Sequence, residues 1–357
     1  MKLLSKITGY FLCVVFAAQS LAVFAFETDQ YNLPPTPLAD IGDEVSDYVE
    51  ENVGKALGKL NAEIAAHQSC LDNKTPEKSC GTPERERAEL MRLRSEETLA
   101  RAVFKPLGGG FPPFTNSGTW MESHEFKAQP ARYKTSYGKS IFRVFPVNYL
   151  TISDTVNLYG TEFGTDKIAH LFQQGYSYYR IYQHAVAKGA SDKEATRKAV
   201  RWGLMTEKTY YGTLVSGVFS NADLAANYIG LKFYQNLTRE VKIGDRVHPP
   251  LVILKNGVWT FNESLPLREH VLKPFLSAHL NEALNPSIFA SLFGLRSSAR
   301  ATVRKNACGQ WRSRYPNRTA ADYAEITRNL KRWHDEDYGY KDSKKFITIE
   351  KECFGAP

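Results

Sequence analysis

The sequence predicts a mainly α fold, in which a helical domain carries a short β-prone excursion between core helices and follows an N-terminal helical hairpin. Near the N-terminus, apolar residues recur at helical spacing over about six turns. Farther along, Ser191 and Ser220 are each followed three residues later by an acid, Glu194 and Asp223, which indicates capped helix starts. Between those helices, the stretch "TYYGTLVSGVFS" is short and β-prone.

The N-terminal hairpin is predicted over residues 26–107. Its first helix follows from apolar residues three or four positions apart: Ile41, Val45, Val49, Val53, Leu57, Leu60 and Ile64. Its second helix is predicted over "PERERAELMRLRSEETLARAVF", with a proline in the first turn. We expect the two helices to pack as an antiparallel pair.

The rest of the chain divides into three parts. The stretch "KPLGGGFPPF" breaks a helix, so residues 108–160 are predicted as a linker with one or two short strands. Residues 161–300 are predicted as the central helical domain. Its helices are expected from Asp166 to about Ala187, from the Ser191 cap to near Glu207, from the Ser220 cap to about Asn236, and around Pro274 to Leu295. Residues 301–357 form a predicted C-terminal region that is closed by a disulfide.

Residues 1–25 have the pattern of a secretory signal peptide. Lys2 and Lys6 precede the apolar run "GYFLCVVFAAQSLAVFA", which ends in a small-residue cleavage site at Ala25. The alternative is an uncleaved membrane anchor, but the run is shorter than the ~20 residues that a span needs. We therefore predict a periplasmic or secreted protein with no transmembrane segment after signal removal. Losing the two lysines lowers its formal charge from +8 to +6.

Four cysteines remain after the predicted cleavage: Cys70, Cys80, Cys308 and Cys353. An even number in an exported chain predicts two disulfides, for which three pairings exist. The pairs Cys70–Cys80 and Cys308–Cys353 are favoured because each brackets a loop-rich stretch. No closely spaced cysteine or cysteine–histidine group supports a zinc ribbon or a redox motif.

The positive charge favours an anionic envelope partner, either a polymer such as cell-wall material or outer-membrane sugar, or lipid head groups. The basic residues are scattered and match no recognised nucleic-acid motif, so no nucleic-acid partner is predicted. The sequence carries no signal for an oligomeric state.

Five polar residues of the central domain are candidates for one site. Asp166 and His170 are four residues apart and so share a helix face; Asp223 and Asn227 have the same spacing on another predicted helix. Glu207 ends the helix between them. Consecutive helices with short connections are usually neighbours. We therefore predict that these side chains converge.

Each candidate also has an ordinary structural explanation. Asp166 at a helix start is favoured by the helix dipole, and Asp223 is the acid of a capping box. His170 and Asn227 fit hydrogen-bonded core positions. Glu207 differs, because a carboxylate at a helix C-terminus faces the negative end of the dipole, which raises its pKa. Its sequence neighbours are largely apolar or aromatic: Trp202, Met205, Tyr210 and Tyr211.

The order of these residues resembles the D-K-x-x-H … E … D-x-x-x-N-x-x-G pattern of the VanZ-like family and related exported bacterial proteins of unknown function. The resemblance covers residues 166–230, and its matching positions are Asp166, Lys167, His170, Glu207, Asp223, Asn227 and Gly230. VanZ-like proteins span membranes, whereas the helices here are too polar, and the family's glutamine after the glutamate and arginine before the aspartate are absent. The resemblance implies cell-envelope biology and glycopeptide tolerance, without a mechanism.

Three functions compete. The first is an exported envelope hydrolase that cleaves peptidoglycan glycan. Its general acid would be Glu207, and Asp166, His170 and Asp223 would complete the catalytic cleft; the layout is analogous to lysozyme-like glycosidases. Its predicted substrate-binding residues are Asn227, Gln173, Tyr210 and Tyr211.

The second function is a hydrolase of phosphate- or lipid-linked envelope material, in which Asp166, His170, Glu207 and Asp223 hold a divalent metal. Carboxylate and imidazole ligands suit Zn²⁺, Mn²⁺ or Fe²⁺, and no other cofactor is predicted. The third is a non-catalytic envelope protein whose polar network fixes helix packing. Elsewhere, His279 and Glu282 have a spacing found in metal sites, but an exposed pair without a site is the favoured interpretation.

Overall fold

A computed structural model describes residues 27–72, 80–111, 114–144, 146–209, 211–334, 336–340 and 344–355. It confirms the mainly α prediction, since the strands are short and form small antiparallel sheets. Both predicted disulfides are present, with Cα–Cα distances of 5.6 Å for Cys70–Cys80 and 5.1 Å for Cys308–Cys353. The predicted signal peptide lies outside the described residues. Across the part of the chain that is described, each helix is too short or too polar to cross a bilayer.

The N-terminal helices confirm the first predicted helix and correct the second. Helix α1 spans Gly42–Leu71 and buries the predicted apolar stripe. The predicted second helix is divided into α2, Pro83–Leu93, and α3, Glu96–Leu107. The break occurs because Ser95 has an extended backbone, and its Oγ accepts a hydrogen bond from the backbone N–H of Thr98 to start a new helix.

Short elements fill the region that was predicted as a linker. They are β1 Gly110–Phe111, β2 Phe114–Thr115, α4 Asn116–Ser123, β3 Arg132–Tyr133, α5 Pro146–Leu150 and β4 Thr155–Leu158, and β5 Thr161–Gly164 follows. Strands β3, β4 and β5 form an antiparallel sheet. Met121, Val156 and Leu158 are fully buried, so this region supplies part of the main core.

The three predicted helices of the central domain are confirmed. Helix α6 runs as Asp166–Ala169, a π-helical turn His170–Gln174, and Gly175–Ala187. Helix α7 spans Asp192–Glu207 behind a complete capping box, and α8 spans Asn221–Asn236. Every residue of α8 is buried except Lys232, which makes it the central helix of the domain.

The rest of the described chain combines hairpins with short helices. In order, these are β6 Val218–Ser220, β7 Val241–Ile243, β8 Arg246–His248, β9 Val252–Lys255, β10 Val258–Phe261, α9 Leu267–Val271, β11 Ser287–Phe289, α10 Leu295–Arg314 with a π-helical turn at Val303–Ala307, and α11 Ala320–Asn329. The helix predicted around Pro274 to Leu295 is wrong. Pro274 and Pro286 interrupt it, and β11 pairs with β6 instead.

Two apolar cores meet at β6. The larger core is built by α1, α3, α6 and α8, and the smaller one by β11, α10 and α11. Val218 belongs to the smaller core and Phe219 to the larger one, as expected for neighbours on opposite faces of a strand. The following residue, Ser220, therefore lies at the boundary between the cores, where the polar candidates gather.

Candidate functional site

A fully buried lysine lies at the centre of the site. Lys167, in the first turn of α6, places its Nζ 2.6 Å from Asp166 Oδ2, 2.5 Å from Asp223 Oδ1 and 2.5 Å from Glu282 Oε1. The side chain of Lys167 has no exposed surface, and its three partners are buried. We call these four residues, together with the nearby Glu27 and Glu207, the Lys167 cluster.

Hydroxyl groups orient the outer oxygens of the cluster. Thr28 Oγ1 donates to Asp166 Oδ1 at 2.7 Å. Ser220 Oγ donates to Glu282 Oε1 at 2.7 Å, and Ser287 Oγ donates to Glu282 Oε2 at 2.8 Å. Ser220 and Ser287 are paired directly across β6 and β11. The register of these two strands therefore fixes the carboxylate of Glu282.

The predicted capping box at α8 is only half formed. Ser220 Oγ accepts a hydrogen bond from the backbone N–H of Asp223 at 3.0 Å, as a helix cap should. The carboxylate of Asp223 does not return to the backbone of Ser220, because it binds Lys167. The Ser220 N–H instead donates to Glu207 Oε1 at 2.9 Å. The carboxylate of Asp223 therefore does not act as the acid of a capping box, as the capping explanation required.

His170 is the outermost member of the site, with 13% of its side chain exposed. Its Nδ1 lies 3.0 Å from Asn227 Oδ1. An amide oxygen only accepts, so Nδ1 carries the proton and donates. The other ring nitrogen, Nε2, faces Asp223 Oδ2 at 3.5 Å. The π-helical turn begins at His170; such turns are frequent at functional sites.

One oxygen of the site lacks a hydrogen bond. Among the described residues, Asp223 Oδ2 is buried and has no hydrogen-bond partner. Asp166, His170 and Asp223 can each present one ligand atom such that all three lie within 4.8 Å of one another, and Glu27, Asp223 and Glu282 can do the same. These residues have the donor types and the spacing to hold a metal ion.

A close helix crossing brings His170 to Asn227. A β carbon at Gly230 of α8 would lie 2.1 Å from the backbone oxygen of Leu171 and 2.7 Å from the Cα of Gly175, both in α6. Only glycine leaves room for this contact between the two backbones. Gly230 is also the last position of the VanZ-like pattern, and its role here is to let α6 and α8 touch.

The carboxyl groups of the cluster differ in the direction of their pKa shifts. Burial raises the pKa of Glu207 well above its usual range, and the charge of Asp223 adds to this effect. Burial likewise raises the pKa of Glu27, as do the charges of Asp223 and Glu282. Burial also acts to raise the pKa of Asp223, but the charges of His170 and Lys167 outweigh it and lower that pKa.

The ammonium of Lys167 is held in its charged form. Burial alone would lower its pKa, but the carboxylates of Asp166, Asp223 and Glu282 raise it well above its usual range. The same lysine opposes the rise that burial causes in the pKa of Glu282. At neutral pH the cluster thus keeps Asp223 ionised and Lys167 charged, with Glu27 and Glu207 as its proton-carrying members.

The structure brings five of the predicted site residues together. Asp166, His170, Asp223 and Asn227 form one contiguous group with Lys167. Glu207 joins this group through Ser220. The convergence predicted from the spacing is therefore present.

The remaining predicted residues lie at the edge of the site or beyond it. Gln173 is half-exposed in the π-helical turn. Tyr211 packs against Trp202 with ring centroids 6.4 Å apart, and Tyr210 lies outside the described residues. Their assignment to substrate binding stays a prediction, as does that of Asn227.

Two members of the cluster were missed and one was misplaced. Glu282 was interpreted as half of an exposed pair with His279, but it is buried against Lys167. Its neighbour His279 instead contacts the backbone oxygen of Arg332 through Nε2 at 2.9 Å. Lys167 was noted only as part of a family pattern, although a lysine next to Asp166 on a helix start was a local signal. No local pattern singles out Glu27.

No protein-family model matches the chain, and no similar protein was found among curated proteins or solved structures. The resemblance to VanZ-like proteins therefore remains a prediction.

Proposed function

We propose that the chain is a metal-dependent hydrolase of phosphate- or lipid-linked envelope material, with Asp166, His170 and Asp223 as the metal ligands. The observation that carries this proposal is Asp223 Oδ2, which accepts no hydrogen bond and faces His170 Nε2 at 3.5 Å. Because Nδ1 of His170 donates to Asn227, Nε2 is the ring nitrogen that can bind a metal ion. An ion placed between Nε2 and Asp223 Oδ2 would bind both atoms.

The distance favours a metal ion over a shared proton. A charge-assisted hydrogen bond between imidazolium and carboxylate would close to about 2.7–2.9 Å. A tetrahedral ion with ligands at about 2.0–2.2 Å holds two of them roughly 3.4 Å apart. The observed 3.5 Å separation corresponds to the second arrangement.

The charge of the cluster also favours a divalent cation. The carboxylates of Asp166, Asp223 and Glu282 surround the single ammonium of Lys167. The carboxylates outnumber the ammonium in a buried volume, and an additional cation would stabilise this arrangement. A divalent ion would neutralise this excess.

The surrounding residues fit supporting roles. Asn227 fixes the tautomer of His170, and Lys167 and Thr28 fix the carboxylate of Asp166. A divalent ion in such a site activates water and polarises a phosphoryl or carbonyl oxygen. The exposed edge of His170 is the side from which a substrate would approach.

Metal analysis tests the proposal. The purified protein is treated with chelator, reloaded with Zn²⁺ or Mn²⁺, desalted and analysed for metal content. We expect close to one ion per chain, and we expect its loss in His170→Ala and Asp223→Asn. His184→Ala is the matched control, because His184 is an exposed histidine in the same helix. The loaded protein should hydrolyse a chromogenic phosphate diester in a chelator-sensitive manner.

Two results would overturn the metal centre. One is wild-type protein that retains no ion after reloading. The other is metal content that His170→Ala and Asp223→Asn leave unchanged. In either case the non-catalytic function, in which the Lys167 cluster fixes the packing of α6 and α8, becomes the better explanation.

A second candidate is glycan cleavage with Glu207 as the general acid. The raised pKa of Glu207 favours it, because a general acid must hold its proton near neutral pH. Its side chain is only 1% exposed, however, so a polymer reaches it only if the turns after α7 open. Digestion of purified sacculi by wild type and by Glu207→Gln tests this function. Release of muropeptides by wild type alone would favour it over the metal-dependent one.

A further inference from the structure

Large exposed apolar side chains recur in three segments of the chain near the site. Among the described residues, four of the five most exposed large apolar side chains are Leu150 at 77%, Leu214 at 75%, Phe293 at 71% and Leu292 at 64%. The less exposed Val144 lies in the same region of the chain as Leu150. We call these five residues the apolar rim.

Hydrogen bonds show that the loops of the apolar rim are neighbours. Asn148 Nδ2, in the α5 turn that carries Leu150, donates to the backbone oxygen of Ser216. Gly217, three residues after Leu214, accepts a hydrogen bond from the backbone N–H of Ala290 at 2.7 Å. Ala290 leads directly into Leu292 and Phe293. Three segments that are distant in sequence therefore meet around Ser216 and Gly217.

Charge is distributed one-sidedly over the same segments. None of the three segments contains an acidic residue. Residues 126–153 contain five basic residues, residues 208–222 contain one, and residues 283–321 contain seven. Lys139, Arg143 and Lys208 are exposed within them. Arg300 and Arg304 pair with Glu352, so we consider only the three exposed cations Lys139, Arg143 and Lys208. Exposed apolar tips beside such cations match the chemistry of an anionic bilayer surface.

The turn at Phe293 has an unusual backbone. Phe293 has φ of 50° and ψ of 20°, in the left-handed region that bulky residues rarely adopt, and Gly294 follows with φ of 74°. The side chain of Phe293 is 71% exposed in this conformation. Such strain is typical of sites where the side chain has another use.

From these observations we propose that the apolar rim and its basic flanks dock the protein onto an anionic lipid bilayer. The surface adjoins the site, because Ser216 Oγ donates to Glu27 Oε1 of the Lys167 cluster at 2.7 Å. Docking would bring the Lys167 cluster close to lipid-linked substrate. The docking itself stands independently of the metal centre, while its link to catalysis rests on the proposed function.

Vesicle sedimentation with the purified protein tests the docking. We expect binding to vesicles of phosphatidylglycerol and phosphatidylethanolamine, weaker binding to phosphatidylcholine alone, and release by salt. The single variants Leu214→Ser and Phe293→Asn should each lower the partition coefficient between vesicles and water at least about tenfold. Asparagine tolerates left-handed φ, so Phe293→Asn keeps the fold. Met91→Ser, an equally exposed site elsewhere, is the control and should bind normally.

The basic flanks are tested separately. We expect the triple variant Lys139→Gln, Arg143→Gln and Lys208→Gln to bind anionic vesicles about a hundredfold more weakly. The docking is overturned by an absence of sedimentation with anionic vesicles, by equal binding to phosphatidylcholine vesicles, or by Met91→Ser weakening binding as much as Phe293→Asn. Binding to sacculi without binding to vesicles would assign the surface to a polymer instead.

The two proposals fail independently. His170→Ala should lose metal and retain vesicle binding, whereas Phe293→Asn should retain metal and bind vesicles at least about tenfold more weakly. A protein that binds vesicles but no metal would refute the metal centre and leave the docking in place.

Discussion

Helices α1 and α6 contribute to the same core, but the first turn of α6 buries charged side chains whereas α1 buries apolar ones. Apart from Gly42 and Ser46, every buried residue of α1 is apolar. The first two residues of α6, Asp166 and Lys167, are both charged and buried. The apolar stripe of α1 acts through many small, interchangeable contacts. The start of α6 depends on every partner of one ion network, since a buried charge without its partner is strongly destabilising.

The largest effect should follow from breaking that network. We expect Lys167→Met to lower the free energy of unfolding by about 3–5 kcal/mol, because it leaves three buried carboxylates without their cation. Urea unfolding in the presence of chelator measures this loss without a contribution from metal. The control Lys198→Met changes an exposed lysine of α7 and should stay within about 0.5 kcal/mol of wild type. Equal results for both variants would refute the importance of the network.

The matching change in α1 removes apolar contacts only. Leu60→Ala should lower the free energy of unfolding by about 3 kcal/mol, because Leu60 is 4% exposed and its loss leaves a cavity. Metal content should not change, since α1 contributes no residue to the site. The neighbouring exposed Lys59→Ala is the control. Loss of metal in Leu60→Ala would show that the packing of α1 and the metal site are coupled.

The buried carboxyl of Asp29, which accepts hydrogen bonds from Asn32 and Ile141, should also make stability depend on pH. Burial raises the pKa of Asp29 to about 6, although its hydrogen bonds to Ile141 and Asn32 partly oppose this. In the unfolded chain the pKa is about 3.9, so the folded state holds a proton that the unfolded state has released. Stability therefore falls as pH rises from about 4 to about 6, by up to about 3 kcal/mol.

Urea unfolding at a series of pH values measures this dependence. The profile of Asp29→Asn should lack the part of the fall that belongs to Asp29, whereas Leu60→Ala should keep it. Parallel profiles for wild type and Asp29→Asn would show that Asp29 does not hold the proton.

The smallest changes in the free energy of unfolding are expected for alanine substitutions of one glycine in α8 and one in α1. Gly230→Ala should lower the free energy of unfolding by about 1–3 kcal/mol, because its β carbon would overlap the backbone of α6. Gly58→Ala in α1 should raise it by about 0.5–1 kcal/mol, because no atom lies within 4 Å of the added carbon and glycine disfavours a helix. Thermal or urea unfolding of both variants measures the two signs. The same sign for both would contradict the close crossing of α6 and α8.

Much of the fold was predictable because its causes are local. The stripe from Ile41 to Ile64, the capping box at Ser191 and the cap at Ser220 each depend on a few consecutive residues, and all three predict helices that the structure contains. The break at Ser95 was missed because the residues on both sides of it favour a helix, and a single capping residue within such a stretch is a weak signal for a break. The helix around Pro274 to Leu295 was wrong because pairing with β6 decided the conformation of residues 287–289.

The candidate site was predictable only in part, for the same reason. The spacing of Asp166 with His170 and of Asp223 with Asn227 places each pair on one helix face, and the short connections bring those helices together. Glu282 and Glu27 reach the cluster from loops that no periodicity describes. The three segments of the apolar rim likewise show their common surface only after folding.

Short-range spacing is enough to predict the helices Gly42–Leu71, Asp192–Glu207 and Asn221–Asn236, and to place four polar residues on two helix faces. The positions of the cysteines favoured the observed disulfides among three possible pairings. Three features depend on tertiary contacts: Lys167 is buried among three carboxylates, the carboxylate of Asp223 does not take part in the helix cap, and one oxygen of Asp223 faces His170 without a hydrogen bond. The physical reason is that the energy of a buried charge depends on groups brought from distant parts of the chain, and no local pattern contains them.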